Sequence, residues 1–283
     1  MALIHERIKL TVKEHVAHVV LARADKMNAL DTQMIEGIES VGEIIKADKT
    51  IRAVVLSADG EHFCAGLDKS NFTSLLENAN MSLDSDKQSV SKAGHKKSIK
   101  LVERTHGIAN VYQYVVWMWR ELTMPVIVAI HGITFGGGLQ LMLGGDCRFA
   151  SPNSRFSILE MKWGLIPDMG GLQIMRNLVR DDVIRMLSYT AQEFTAEQAK
   201  EWGFITDIVE DPVVHAIGLA DEIARQSPDA IRATKKVIGE SYSLSVEEGL
   251  LLEAQEQDKL LGKTNQVEAV MSQLYGRQAK FVD

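Results

Sequence analysis

Two short runs of small residues could place backbone N–H groups around an oxygen that becomes negatively charged. Residues 136–138 are three glycines that open the apolar helical pattern GGGLQLML, and residues 65–67 form a second small-residue turn after a predicted buried strand. Glycine costs a helix about 1 kcal/mol per site relative to alanine, so a bare backbone here needs a reason. One reason is an oxyanion hole, in which two turns donate to one carbonyl oxygen. The other is close packing of backbone in the core.

The residues around these turns argue against a nucleotide site and against a metal site. A phosphate-binding Walker loop needs Gly-Lys-Ser/Thr, whereas Gly138 precedes Leu139, and the sequence contains no Gly-x-Gly-x-x-Gly. His62 and His131 lie beside the two turns, but they lack acidic or cysteine partners at ligand spacing. We therefore expect no metal, and we expect both histidines to shape the turns.

The composition is that of an ordinary soluble protein. The chain has 283 residues, of which 46% are hydrophobic, and no apolar run approaches the roughly 20 residues that span a membrane. The net charge of −7 argues against broad nucleic-acid binding, which normally needs a basic face. The start MALIHERIKL shows no targeting segment, and Cys64 and Cys147 form no disulfide framework. We therefore expect a cytoplasmic protein with packed thiols.

Three stretches repeat the order strand, turn, glycines, helix. They begin at Ile51, Pro125 and Ser154, and such repetition predicts an α/β spiral core of stacked units over residues 1–205. Residues 206–283 read as helices, predicted at 213–226, 229–241 and 245–261. These helices have few apolar positions, so we expect them to pack on the spiral or on another subunit. The polar stretch 77–107 is interpreted as a solvated loop or a mobile lid.

Six segments of the chain, in order and spacing, resemble the crotonase family, the enoyl-CoA hydratases and isomerases. The resemblance covers roughly residues 5–261 and implies a crotonase-like ββα spiral core, with a C-terminal helical region that builds trimers or hexamers. It also implies acyl-CoA thioester chemistry through an enolate, with coenzyme A as part of the substrate and no separate cofactor. By position, the family's oxyanion donors correspond to the backbone N–H groups of Leu67 and Gly137. The segments are MNAL (27–30), HFCAGLD (62–68), PVIVAIHGITFGGGLQL (125–141), DCRFAS (146–151), GLIPDMGG (164–171) and TAEQAKEWGFITDIV (195–209).

The carboxylates at the family's catalytic positions favour isomerisation of a double bond. Hydratases of the family use two glutamates, but this chain has Gln140 at the first position and keeps Glu160 at the second. Gln140 cannot exchange a proton at neutral pH, which argues against water addition. Asp168 stands where family dienoyl-CoA isomerases have an aspartate, although those isomerases also carry an acid at the position of Gln140. The resemblance thus implies Glu160 and Asp168 as catalytic groups.

Alternatives remain for each of these residues. Asp168 could simply cap the helix that follows it, since a carboxylate near a helix N-terminus is stabilising. Gln140 could orient Glu160 or the ligand by hydrogen bonds, or be merely tolerated. A 2-enoyl-CoA hydratase is the second candidate function. A relative that only binds acyl-CoA or RNA is the third, and the acidic net charge weighs against RNA.

The resemblance also implies residues that bind the substrate. Lys26 and Arg23 resemble the family's basic contacts to the anionic coenzyme A, and Lys235 resembles a late-helix lysine near the coenzyme A of a neighbouring subunit. The alternative for all three is solvated surface charge. Gln140 completes the predicted substrate-binding set, together with Ala65 and Asp68 at the turn of residues 65–67.

Overall fold

A six-stranded sheet forms the centre of the molecule. The computed structural model describes residues 3–68 and 100–283, so most of the stretch predicted as loop or lid at 77–107 lies outside the described residues. The strand order is β1-β2-β3-β4-β6-β9. Strands β1 and β2 pair antiparallel, and the other neighbours pair parallel. The strands are β1 (Ile8–Lys13), β2 (Val16–Leu21), β3 (Ala53–Ala58), β4 (Val126–Ile130), β6 (Cys147–Ala150) and β9 (Asp207–Ile208).

The central strands are buried on both faces of this sheet. Every residue of β3, AVVLSA, and of β4, VIVAI, is buried, which is the near-continuous apolar pattern of parallel strands covered on both sides. One face packs on the main core with helices α1 (Thr32–Ala47), α2 (Val111–Glu121) and α3 (Gly137–Leu143). The other face packs on helix α7 (Pro212–Ala224) through Ala216, Ala220 and Ala224, which are spaced by one helical turn.

A small three-stranded sheet carries the glycine-rich turns. Strand β5 (Ile133–Phe135) pairs parallel with β7 (Arg155–Ser157), and β7 pairs antiparallel with β8 (Glu193–Thr195). A β-bridge between Cys64 and Thr134 joins this sheet to the segment that follows β3. The chain therefore runs from a strand of the large sheet into the small sheet and then into a helix, as the repeated units predict.

Short helices and side-chain caps position the loops between these sheets. Thr195 and Gln198 form a capping box at the start of α6, and Asn110 with Gln113 forms another at the start of α2. No helix among residues 3–68 and 100–283 has the length and apolar character needed to cross a membrane. The remaining helices of the core are α4 (Gly171–Met175), α5 (Asp181–Thr190) and α6 (Ala196–Glu201), with 3-10 turns at Ala24–Lys26 and Glu160–Trp163.

The C-terminal region is helical, but its first part belongs to the spiral core. Strand β9 extends the large sheet beside β6, and α7 covers that sheet, so the break predicted between residues 205 and 206 falls inside one packed layer. The outer helical part begins after α7. It contains α8 (Pro228–Ser241), α9 (Val246–Leu260) and α10 (Thr264–Leu274), of which the sequence did not predict α10.

Candidate active site

The two glycine-rich turns lie against each other. Cys64 N–H donates to Ile133 O over 3.1 Å, and Phe135 N–H donates to Cys64 O over 3.0 Å, so the two chains run side by side. A Cβ atom on Gly138 would lie 2.3 Å from the carbonyl oxygen of Cys64. Close backbone approach, the packing alternative of the sequence analysis, therefore explains the third glycine of the triplet.

Two further glycines bend the turns through backbone conformations that other residues rarely adopt. Gly136 has φ of +50° and Gly66 has φ of +92°. A Cβ atom on Gly66 would lie 2.7 Å from Phe135 O and 3.3 Å from the amide nitrogen of Gly137. A side chain at Gly66 would therefore clash with the turn at residues 136–138.

The amide groups of Leu67 and Gly137 lie close to each other, and neither has a hydrogen-bond partner in the described part of the chain. A Cβ atom on Gly137 would lie 3.8 Å from the amide nitrogen of Leu67. The neighbouring groups are used: Leu30 N–H donates to Gly66 O, and Asp68 N–H donates to Leu30 O, at 2.8 and 3.1 Å. Among the described residues, neither Leu67 N–H nor Gly137 N–H donates a hydrogen bond. Two unpaired N–H groups at one place are what an oxyanion hole requires.

Glu160 lies beside the turn at residues 136–138. It begins the 3-10 turn Glu160–Trp163 after β7, and its Oε1 would lie 3.6 Å from a Cβ atom on Gly136. Its other oxygen, Oε2, is buried and has no hydrogen-bond partner among the described residues. Burial raises the pKa of the Glu160 carboxyl, and the nearby charge of Asp168 adds to that rise. A buried carboxyl group with a raised pKa is suited to proton transfer.

Gln140 joins Glu160 to the turn that carries Asp168. Its Nε2 donates to Oε1 of Glu160 over 2.6 Å, while its Oε1 accepts from the backbone N–H groups of Met169 and Gly171, at 2.9 and 3.1 Å. Of the alternatives left open for this residue, the structure supports the orientation of Glu160.

Asp168 is not a helix cap. Helix α4 begins after Gly170, which has left-handed backbone, and no side chain caps it. The capping alternative is therefore wrong, because the chain turns at Gly170 before the helix starts. Burial raises the pKa of the Asp168 carboxyl. Burial also raises the pKa of the Tyr112 hydroxyl on α2, with a further contribution from the charge of Asp168. Asp168 therefore lies within electrostatic reach of both Glu160 and Tyr112.

Sequence reasoning did not single out Tyr112. The residue lies on helix α2, where it is partly buried against the main core. Trp117, from the same helix, approaches the turn as well, since a Cβ atom on Gly170 would lie 3.9 Å from its ring. Helix α2 therefore faces the turn that carries Asp168.

The predicted contacts to coenzyme A fall into two groups around the turn at residues 65–67. Lys26 is exposed on the 3-10 turn Ala24–Lys26, next to Met27, whose carbonyl accepts from Ala65 N–H over 2.9 Å. Lys26 and Ala65 therefore lie beside the oxyanion turn. Arg23 instead pairs with Asp68 at 2.5 Å, so these two residues neutralise each other.

The Lys235 side chain forms hydrogen bonds within the single chain, away from the two turns. Its ammonium donates to the carbonyl oxygens of Trp119 and Met124 and to the carboxylate of Asp146, at 3.0, 2.9 and 2.7 Å. These three acceptors use all three N–H donors of the group. Within the single chain, Lys235 holds helix α8 on the spiral core. The contact of Lys235 with the coenzyme A of a neighbouring subunit stays a prediction.

The histidines and cysteines near the turns have packing roles. His131 Nε2 is bonded to Gly60 O at 3.0 Å, and His62 Nδ1 accepts from Ile133 N–H at 3.4 Å. Cys64 Sγ donates to Asn28 O, and burial raises the pKa of its thiol to about 12. No cluster of three or more His, Cys, Asp and Glu side chains in the described part of the chain could hold a metal ion.

Comparison with known proteins gives the same fold and the same chemistry class. A family model described as "Enoyl-CoA hydratase/isomerase" matches residues 16–282. The chain is 27% identical over 279 residues to the peroxisomal Delta(3,5)-Delta(2,4)-dienoyl-CoA isomerase of Arabidopsis thaliana, covering 98% of this chain and 96% of that protein. It is 28% identical over 247 residues to the (E)-benzylidenesuccinyl-CoA hydratase of Thauera aromatica, covering 86% of each. The crystal structure of an enoyl-CoA hydratase from Bacillus anthracis matches with a TM-score of 0.82 at 25% identity, covering 97% of this chain and 98% of that one. The predicted crotonase-like fold is confirmed.

Proposed function

Because the chain belongs to the enoyl-CoA hydratase/isomerase family, we propose that it moves a double bond along the acyl chain of an acyl-CoA thioester. The substrate class is a 3-enoyl- or 3,5-dienoyl-CoA, and coenzyme A is part of that substrate. Hydration of a 2-enoyl-CoA is the second candidate function, since one relative is named as a hydratase.

One observation carries the proposal: the half-buried Glu160 lies beside the turn whose Gly137 N–H group, like that of Leu67, has no partner among the described residues, and the half-buried Asp168 acts on Glu160 through its charge. Double-bond migration removes a proton from one carbon and returns a proton to another. It therefore needs a base, an acid and a site that stabilises the enolate between the two steps.

The proposed reaction balances in two steps. Glu160 takes a proton from the acyl chain, and the electron pair of that C–H bond moves through the conjugated system onto the thioester oxygen. The N–H groups of Leu67 and Gly137 stabilise the negative oxygen. The electron pair then returns to form the shifted double bond, and the distal carbon takes a proton from Asp168. Exchange with solvent then removes the proton from Glu160 and returns one to Asp168, which restores both groups for the next turnover. Burial raises the pKa of Asp168, which favours the protonated form that this step uses.

Gln140 is the reason to prefer isomerisation over hydration. Addition of water requires groups that hold water and exchange protons with it, and an amide does not exchange a proton at neutral pH. The amide is also occupied, because it donates to Glu160 and accepts from Met169 and Gly171. The site then offers one base at this place rather than a pair of acids around a water molecule.

A trimer-based assembly is part of the proposal. Several large apolar side chains of the outer helices α8–α10 are exposed in the single chain, which supports a subunit interface there. The exposed apolar residues include Val246, Leu250, Leu251, Leu274 and Tyr275. A stable monomer at micromolar concentration in light scattering would contradict it.

We also propose the cytoplasm as the compartment, which reduced Cys64 and Cys147 support.

A comparison of two substrates tests the proposal. The purified protein is mixed with a 3,5-dienoyl-CoA, and formation of the 2,4-dienoyl product is followed by its ultraviolet absorbance; hydration of crotonyl-CoA is measured in parallel. We expect isomerisation to be the faster reaction. Faster hydration would favour the hydratase, and acyl-CoA binding without either conversion would favour a relative that only binds.

A further inference from the structure

The side-chain amide of Gln140 has only one orientation that satisfies its surroundings. Its Oε1 accepts from two backbone N–H groups, those of Met169 and Gly171, at 2.9 and 3.1 Å. Gln140 is buried, with 1% of its surface exposed. Exchanging the amide oxygen and nitrogen would point an N–H group at two N–H donors in a buried place, which is costly. The nitrogen must therefore face Glu160.

The surrounding backbone is shaped to hold this amide. A Cβ atom on Gly171 would lie 2.7 Å from Cγ and 2.8 Å from Oε1 of Gln140. The absence of a side chain at Gly171 thus lets helix α4 begin directly on the amide. Met169 and Gly171 follow Asp168 closely in the chain, so the same amide also holds the turn that carries Asp168.

An N–H donor at 2.6 Å requires Oε1 of Glu160 to be an acceptor. A proton on the Glu160 carboxyl must then lie on the other oxygen. That oxygen, Oε2, is buried and without a partner among residues 3–68 and 100–283.

We propose that Gln140 is a positioning residue, which holds Glu160 through Oε1 and leaves Oε2 as the oxygen that takes and releases the proton. The part that concerns Oε2 rests on the proposed function, whereas the coupling of Gln140 to the ionisation of Glu160 does not. In the reaction, Oε2 would receive the proton from the acyl carbon while the C–H electron pair moves to the thioester oxygen. Gln140 itself exchanges no proton.

The charge that acts on the Glu160 carboxyl comes from a neighbouring acid. Asp168 acts on Glu160 through its charge, and Tyr112 from helix α2 is in turn affected by Asp168. Helix α5 packs on the 3-10 turn of Glu160 as well, but its Asp181 and Arg185 form an ion pair on the surface. Removing the amide should therefore act on the pKa of Glu160 mainly through the lost hydrogen bond, which favours the ionised form.

The first measurement uses the substrate-free protein, so that it is independent of any activity. The side-chain amide resonance of Gln140 is followed by NMR as the pH changes, together with the carboxyl carbon of Glu160 in isotope-labelled protein, assigned with Glu160→Gln. We expect the two signals to change with the same midpoint and the amide change to vanish in Glu160→Gln. An amide resonance that does not follow Glu160 would overturn the inference, even if the enzyme is active.

The second measurement compares two glutamine variants. In Gln140→Met, the midpoint of Glu160 should rise by about one pH unit, because the donor to the ionised carboxylate is lost. The low-pH limb of kcat should move by the same amount, with KM little changed. Gln198→Met is the matched control, since the Gln198 side chain accepts from the backbone N–H of Thr195 at the start of helix α6 and forms no hydrogen bond with Glu160 in the described part of the chain. An unchanged Glu160 midpoint in Gln140→Met would contradict the inference. If Gln140 tracks Glu160 but no isomerisation occurs, the proposed function fails and the coupling stands.

Discussion

Asp168 acts on Glu160 through its charge and, together with burial, raises the pKa of the Glu160 carboxyl. Two carboxyl groups with unequal environments can divide the roles of acid and base, because the ionisation of one disfavours ionisation of the other. The division of roles proposed here depends on this relationship.

The first prediction concerns the pH dependence of turnover. Glu160 must be ionised to act as a base, so kcat should fall as the pH drops below its raised pKa. Asp168→Asn removes a carboxyl group that raises the pKa of Glu160 only when it is ionised, so the low-pH limb should not move to higher pH. The same variant should lower kcat roughly 10²- to 10⁴-fold, because it also removes the acid. A pH profile of kcat for both proteins checks this, and a limb that moves upward would contradict it.

The second prediction is that the ionised carboxylate of Glu160 reduces the stability of the folded protein. The folded pKa of Glu160 is raised, so the stabilising contribution of its protonated form is full below the unfolded pKa and is lost as pH rises through the folded pKa. Glu160→Gln should therefore melt at a higher temperature than the wild type at neutral pH, with the gain shrinking towards acid pH. Glu253→Gln, at an exposed position on α9, is the control and should show no such trend. Equal melting curves for Glu160→Gln and wild type at every pH would refute the prediction.

The third prediction tests the contact between the two turns. Gly66→Ala and Gly107→Ala share the strain of positive φ, which costs an L-residue about 1 kcal/mol or more. Only Gly66→Ala also places a Cβ atom 2.7 Å from Phe135 O and 3.3 Å from the amide nitrogen of Gly137, whereas Gly107 has nothing within 4 Å. Turnover should fall roughly 10²-fold or more in Gly66→Ala, as for loss of an oxyanion donor. Turnover should stay near the wild-type value in Gly107→Ala. Equal turnover in the two variants would show that the turns do not form the reacting site.

The fourth prediction separates the structural role of Lys235 from a role in binding coenzyme A. Lys235→Met leaves Asp146 and two carbonyl groups without their donor, and loss of one partner from a buried pair costs about 3–5 kcal/mol. Lys236→Met, on the same helix, removes an ammonium whose side chain is 43% exposed, and should cost below about 1 kcal/mol. Urea unfolding at one fixed protein concentration measures both. Coenzyme A affinity that falls in Lys235→Met, with stability unchanged, would favour the role in binding.

The sequence predicted the parts of the site that depend on backbone. Gly66 and Gly136 are required by the positive φ of their own turns, so the sequence indicates both turns. The contact of Gly138 with the carbonyl of Cys64, by which the turns meet, is shown by the structure. The order of strands and helices followed from apolar periodicity in the same way.

The parts that depend on side-chain partners could not be predicted. The orientation of the Gln140 amide is set by Met169 and Gly171, which lie about thirty residues further along the chain. Lys235 reads as a surface charge, because its three acceptors lie far from it in sequence. Helix α10 carries Val267, Val270, Met271 and Leu274 at helical spacing, a signal that the sequence analysis did not use.

The central claim is that Glu160 removes a proton from the acyl chain of a bound acyl-CoA. The most direct test is incorporation of deuterium from heavy water into an acyl-CoA incubated with the wild type and with Glu160→Gln, measured by mass spectrometry. The wild type should introduce deuterium at the carbon next to the thioester or along the conjugated chain, and Glu160→Gln should be slower by roughly 10²-fold or more. Exchange by Glu160→Gln at the wild-type rate would contradict the account.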